Sequence, residues 1–293
     1  MLTNLQGLLK DAREKHYAIP AFDVSNYEMV KAVIETCAEE KSPCIFMGLK
    51  SDLEGNGLKL LTSLMKTASE IYSEIPVCIH LDHATNFDDI KAAIDAGFTS
   101  VMFDGSTLPF EENVKRTKEI VDYAHAHGVS VEAELGHVAD AVSGTVEVLK
   151  SATTNEDIEK CMTDVQEAKE FIERTNVDCL AVAVGTAHGV YVSAPVLQFK
   201  RLQEINEAAA SPLVMHGGSG TPDKDVQKAI GLGITKINIY SEVLYALNSN
   251  LKEKLNSIQN LSMWPVFVFE NSYKGMKEVI RHKIRTFGSN NRV

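Results

Sequence analysis

What this chain lacks narrows its class before any motif is read. Its five cysteines, at 37, 44, 78, 161 and 179, include no C-x-x-C pair, which argues against a cysteine-built zinc module. Cys44, Cys78 and Cys179 lie inside apolar runs, so they are expected as buried thiols in a reducing compartment. No apolar run approaches the roughly 18 residues of a membrane span. Lys10 and Asp11 interrupt the first residues before the apolar core of a signal peptide can form. The expected location is therefore cytoplasmic. Basic charge is also scarce: Lys+Arg number 29 against 40 Asp+Glu, a net charge of -11. Nucleic acid and anionic membranes attract basic surfaces, so neither is expected as a partner. A phosphorylated substrate stays open, because local backbone N–H groups hold a phosphate whatever the net charge. No low-complexity tract, repeat or Pro/Gly/Ser-rich linker divides residues 1–293, which predicts one domain.

What is present is a recurrence. Short, almost continuously apolar runs occupy 17–22, 43–48, 76–81, 100–104, 130–135, 178–184, 212–216 and 236–240. Strands buried on both faces of a parallel sheet read this way. Helical patterns fill the intervals. Ser25-Asn-Tyr-Glu28 and Thr163-Asp-Val-Gln166 read as capping boxes, and Thr221-Pro222 as a cap before a proline at the first helical position. Eight strands alternating with helices predict an α/β protein, a single (β/α)8 TIM barrel with additional C-terminal helices. An open doubly wound sheet is the structural competitor, but no G-x-G-x-x-G follows the first strand, which weakens its dinucleotide-binding form.

In such a barrel the chemistry lies at the C-terminal ends of the strands. The third run ends in His80-Leu-Asp82-His83, the fourth in Asp104, the fifth in Glu132-Ala-Glu134. The sixth leads to His188-Gly189, the seventh to His216-Gly217-Gly218-Ser219, and the eighth carries Asn238 and Ser241. His83, His188 and His216, from separate strand ends, suit a catalytic Zn2+ with one position left open for substrate. Asp82, beside His83, could move a proton on a metal-bound substrate. Asp104 and Glu134 could orient a histidine or hold a second cation. His125-Ala-His127 is set aside, because i and i+2 side chains on a helix point to different faces. The glycines after the seventh and eighth strands lie where barrels often hold phosphate.

These residues resemble the class II, metal-dependent ketose-bisphosphate aldolases of the fructose- and tagatose-bisphosphate type. The resemblance runs over nearly the whole chain, through His80-Leu-Asp-His83, Phe110-Glu-Glu-Asn-Val114, Ser130-Val-Glu-Ala-Glu-Leu-Gly136, the segment 180–189, Pro212-Leu-Val-Met-His-Gly217 and Lys236-Ile-Asn238. It implies that His83, His188 and His216 hold zinc and that Asp82 is the acid/base at the aldehyde oxygen. It implies an alternative metal position at Asp104 and Glu134. Gly189, Gly217, Ser219, Asn238 and Ser241 match substrate- and phosphate-binding positions, and Gly218 lies among them. A monovalent cation, Na+ or K+, and a homodimer or homotetramer are also implied. The expected reaction is reversible cleavage of a phosphorylated ketose into dihydroxyacetone phosphate and an aldehyde such as glyceraldehyde 3-phosphate. Alternatives are a class II aldolase for an unusual sugar phosphate and a non-catalytic sugar-phosphate-binding subunit. A Schiff-base aldolase is disfavoured, because the sixth run has no lysine and Lys236 begins the eighth.

Four departures from the family pattern stand out. Asp23 replaces a usual Asn, Ser241 a usual Thr, and Tyr240 a small or polar residue. After Gly136 a longer segment replaces the Gly-Gly-x-Glu-Asp loop that carries the base of relatives. Residues 137–162 are therefore expected to form a mobile lid, with Glu147 preferred to Asp140 as the replacement base.

Overall fold

A computed structural model describes residues 1–140, 161–189, 195–260 and 262–293. Eight parallel strands close into a barrel: β1 Ile19–Asp23, β2 Cys44–Leu49, β3 Val77–Ala84, β4 Ser100–Phe103, β5 Ser130–Leu135, β6 Cys179–Val182, β7 Leu213–Met215 and β8 Ile234–Ile239. All eight expected runs become strands. They are apolar nearly throughout because each is covered by helices outside and by other strands' side chains inside. β8 pairs with β1, placing Ala21 beside Asn238 and Phe22 beside Ile239.

Helices flank the strands, and the C-terminal ones, Ser241–Ser257, Pro265–Val268 and Glu270–Phe287, extend the outer ring. At the foot of the barrel the helix Leu5–Glu14 lies against the strand starts. Leu2 bridges Val77, and the Leu5 N–H donates to Ser130 Oγ at 3.0 Å. Among the described residues no helix is long and apolar enough to cross a membrane. All five cysteines are free thiols, and Cys37, Cys44, Cys78 and Cys179 are buried.

The helix starts correct the sequence reading by one residue each. Asn26, not Ser25, caps the helix Tyr27–Glu40 by accepting from the Met29 N–H, while the Ser25 hydroxyl turns to Met29 Sδ. Asp164, not Thr163, caps Val165–Thr175 by accepting from the N–H groups of Gln166 and Glu167. Thr163 instead ties strand ends together, donating to the Leu135 carbonyl and accepting from the Ala183 N–H at 2.8 Å. Pro222, with its φ fixed by the ring, precedes the helix Asp223–Gly231, and Thr221 donates back to the Gly217 carbonyl.

Candidate active site

At the C-terminal mouth a cavity of about 420 Å3 opens between the strand ends. The register of β3 explains two of its central side chains. Leu81 pairs with Val101 and Ala84 with Phe103, so Asp82 and His83 together face the single residue Met102. This is a β-bulge. Without it, adjacent residues would point to opposite faces; with it, Asp82 and His83 both line the cavity. His83 has φ 49°, a left-handed conformation that non-glycine residues rarely adopt and that tends to mark functional sites.

The three histidines meet. His216 Nδ1 lies 3.0 Å from His83 Nε2 and 3.4 Å from His188 Nε2. The far nitrogens of two of them face carboxylates. His83 Nδ1 is 3.0 Å from Asp104 Oδ2, and His216 Nε2 is 2.8 Å from Glu132 Oε1. If each donates its proton there, the facing nitrogens are bare lone pairs, and only a positive charge between them relieves the repulsion. In the protein alone that charge is a proton. Burial opposes it on His83, but Asp82, Asp104 and Glu134 outweigh burial and push that imidazole up to about 10. His216 is driven the other way, by burial and then by the charge of His83, well below the usual histidine range. Three nitrogens around one tetrahedral ion at about 2.0–2.1 Å would stand roughly 3.4 Å apart, so the residues present fit a zinc-type donor set.

A second acidic group overlaps the first: His83, Asp104 and Glu134 also offer ligand atoms within 4.8 Å of one another. Burial works against charge on Asp104, yet hydrogen bonds from His83 and Ser106 hold it below the usual carboxylate range. Glu134 goes the other way, raised to about 8 by burial and then by Asp104. Its Oε1 accepts from the Val138 N–H, and its Oε2 is buried with no hydrogen-bond partner.

Beneath the histidines lies a network that the sequence reading missed. Glu132 is fully buried. Besides His216, it accepts from Lys236 Nζ at 2.9 Å. Lys236 in turn donates to Asn238 Oδ1 at 2.7 Å, which leaves Asn238 Nδ2 to donate to Asp82 Oδ1 at 3.2 Å. One carboxylate thus fixes both a metal-type histidine and the orientation of Asp82. Lys236 lies inside β8 rather than at its start, and its side chain has no exposure. Burial disfavours its charge, but Glu132 and Asp82 overcome that and raise its pKa, so it remains an ammonium and not a Schiff-base nucleophile. Spacing offered a signal: Glu132 and Glu134, like Lys236 and Asn238, are i,i+2 polar pairs on one face of an otherwise apolar strand.

The other expected site residues divide. Gly189, Gly217, Ser219, Asn238 and Ser241 line the cavity. Gly217 has φ +67°, and a Cβ there would lie 2.2 Å from the Ala187 carbonyl oxygen, so only glycine fits. Gly218 does not line the cavity. Its N–H is spent on the Asn238 carbonyl, and a Cβ would strike Ile237 at 2.3 Å. Ser219 Oγ accepts from the Tyr240 and Glu242 N–H groups, tying the β7 loop to the start of the helix Ser241–Ser257. The segment after Gly136 leaves and returns at one point, where the His137 N–H donates to the Cys161 carbonyl. Asp140 lies in a two-residue strand pairing with Ala187–His188, so its backbone stands beside His188. Glu147 and most of the expected lid lie outside the described residues. His125 and His127 are engaged elsewhere, with Asp178 and with the Tyr123 carbonyl.

The pattern of the family described as fructose-bisphosphate aldolase class-II matches residues 3–292. The chain belongs to this family. Class II aldolases are lyases that are generally metal-dependent, and this chain is an aldolase of that kind. It is similar to the crystal structure of the YdjI aldolase from Escherichia coli K12, with 36% identity and a TM-score of 0.85 over 100% of this chain and 99% of that one. The fructose-bisphosphate aldolase Fba from Campylobacter jejuni shares the fold at 22% identity, with a TM-score of 0.83 over 100% and 97% of the two chains.

Proposed function

We propose that this class II aldolase is zinc-dependent and reversibly cleaves a phosphorylated ketose into dihydroxyacetone phosphate and an aldehyde. The observation that carries the reading is the convergence of His83, His188 and His216 at 3.0 and 3.4 Å, with Asp82 in the same cavity. A three-nitrogen set with one side open to a cavity favours zinc over magnesium or calcium, which prefer oxygen ligands. When bound, the ion supplies a Lewis acid for the negative charge that develops on the ketone half.

The protein's own groups do the rest. Asp82 takes the proton of the C4 hydroxyl as the C3–C4 bond breaks and its electrons move to the ketone half. Asn238 holds Asp82 by one oxygen, and Asp82 lines the cavity. Gly217 and Ser219 of the β7 turn and the start of the helix Ser241–Ser257 bind the phosphate of the ketone half, placing C3 and C4 against Asp82. A group from the segment after Gly136, Glu147 or Asp140, returns a proton to C3 of the ketone half. The chain works as one domain, in a homodimer or homotetramer.

The test is a screen of ketose 1-phosphates and 1,6-bisphosphates for release of dihydroxyacetone phosphate, with zinc content measured alongside. Cleavage that is lost with a chelator and restored by zinc is expected. Full activity in metal-free protein overturns the proposal.

A further inference from the structure

At the end of β1, in the same cavity, stands a carboxyl group that the reaction does not use. Asp23 ends β1 opposite Met47 of β2 and is 4% exposed. It lines the cavity together with Leu49, Asp82 and Tyr240. Its Oδ1 is buried and has no hydrogen-bond partner. Buried polar atoms are nearly always partnered, and an under-partnered carboxyl lining a ligand cavity points to a group the ligand brings.

The charges around it limit what that group can be. Among the described residues that line the cavity there are three aspartates, 23, 82 and 104, and neither lysine nor arginine. The two nearby lysines are committed: Lys236 to Glu132 and Asn238, and Lys50 to Asp89 at 2.7 Å. A phosphate dianion placed here would be desolvated beside carboxyl groups with no cation to meet it. A sugar hydroxyl needs only one hydrogen-bond partner, which the Asp23 carboxyl provides. The walls agree, since the Leu49 side chain and the Tyr240 ring suit the C–H faces of a sugar chain.

We infer that Asp23 is a specificity-determining residue: it hydrogen-bonds a neutral hydroxyl on the aldehyde half of the substrate and excludes a second phosphate, so the substrate is a ketose phosphorylated on the ketone half only. This rests on the aldolase reading above. Burial, and after it the neighbouring Asp82, raises the Asp23 carboxyl well above the usual range. Asp82 lines the cavity with Asp23 and acts on the oxygen that leaves with the aldehyde, so the aldehyde half is the half Asp23 meets.

The experiment has two readouts on the zinc-loaded protein. The first is kcat/KM for a ketohexose 1-phosphate and its 1,6-bisphosphate. The second is calorimetric binding of hexitol 1-phosphate and hexitol 1,6-bisphosphate, which lack the ketone and cannot be cleaved. The monophosphate is expected to be preferred by about tenfold or more in both, and Asp23→Asn, nearly the same shape without a carboxylate, is expected to shrink that preference by about tenfold. A wild-type preference for the bisphosphate overturns the inference, as does an Asp23→Asn ratio unchanged from wild type. If the variant does not fold, the wild-type ratios alone decide. Cleavage of neither ketose overturns the aldolase reading, while the hexitol ratio still decides what Asp23 does.

Discussion

The interior of the barrel holds two clusters of opposite character. Toward the foot, Leu5, Leu9 and Ala12 of the first helix pack with Tyr17, Ile19, Ile45, Cys78, Cys179 and Val214 in an apolar plug. Toward the mouth, His80, Asp82, Glu132, His216 and Lys236 are buried almost as completely, but every one is polar. The plug needs only shape and hydrophobicity. The upper cluster needs each charge to meet its partner, because a buried charge without one is costly. The same strands serve both, so stability and chemistry are separated along the barrel axis rather than along the chain.

The comparison can be broken by substitutions in each half. The largest effect belongs to the metal-type histidines: a chelator, or His188→Ala, is expected to reduce cleavage by at least about 10³-fold, since metal Lewis acids contribute several kcal/mol. Zinc analysis beside the rate assay checks that metal and activity fall together. Asp82→Asn should keep metal and fold but lower kcat by roughly 10²–10⁴-fold, the usual contribution of a general acid/base. Lys236→Met should cross the divide. It leaves the Glu132 charge unpaired, at a cost of about 3–5 kcal/mol in urea unfolding, and frees Asn238 from Asp82, so kcat should fall as well. Leu9→Ala should cost about 2–5 kcal/mol in the same unfolding assay while kcat/KM of the folded enzyme stays as in wild type. The smallest effect is expected from the His125→Ala, His127→Ala double variant: unchanged zinc content by elemental analysis, because those rings serve Asp178 and the Tyr123 carbonyl.

The plug and the strands around it were legible because hydrophobic periodicity is local. Eight apolar runs sufficed to give the barrel, and the barrel sufficed to gather His83, His188 and His216 from distant segments. The upper cluster was legible only at its rim. Glu132 and Lys236 sit in runs that look apolar, and their partnership across the barrel depends on shear and register that no local window contains. The bulge that turns Asp82 and His83 to the same side was hidden for the same reason: it is a property of how β3 meets β4. Capping failed by single residues because two capable side chains stood next to each other, Ser25 beside Asn26 and Thr163 beside Asp164. Geometry in the turn, not composition, chose between them.

The pairing of β8 with β1 also bears on the order of assembly. Residues 19–23 meet residues 236–239 only after almost the whole chain has been made. In the open, unfolded chain Glu132 is solvated by water and needs no partner. Closure brings in Lys236 and removes both charges from water in one event. The desolvation of the upper cluster is therefore tied to closing the ring, whose apolar contacts offset it. An ion that joins histidines from β3, from the segment after β6 and from the end of β7 would act as a clasp across half of the ring, slowing its reopening.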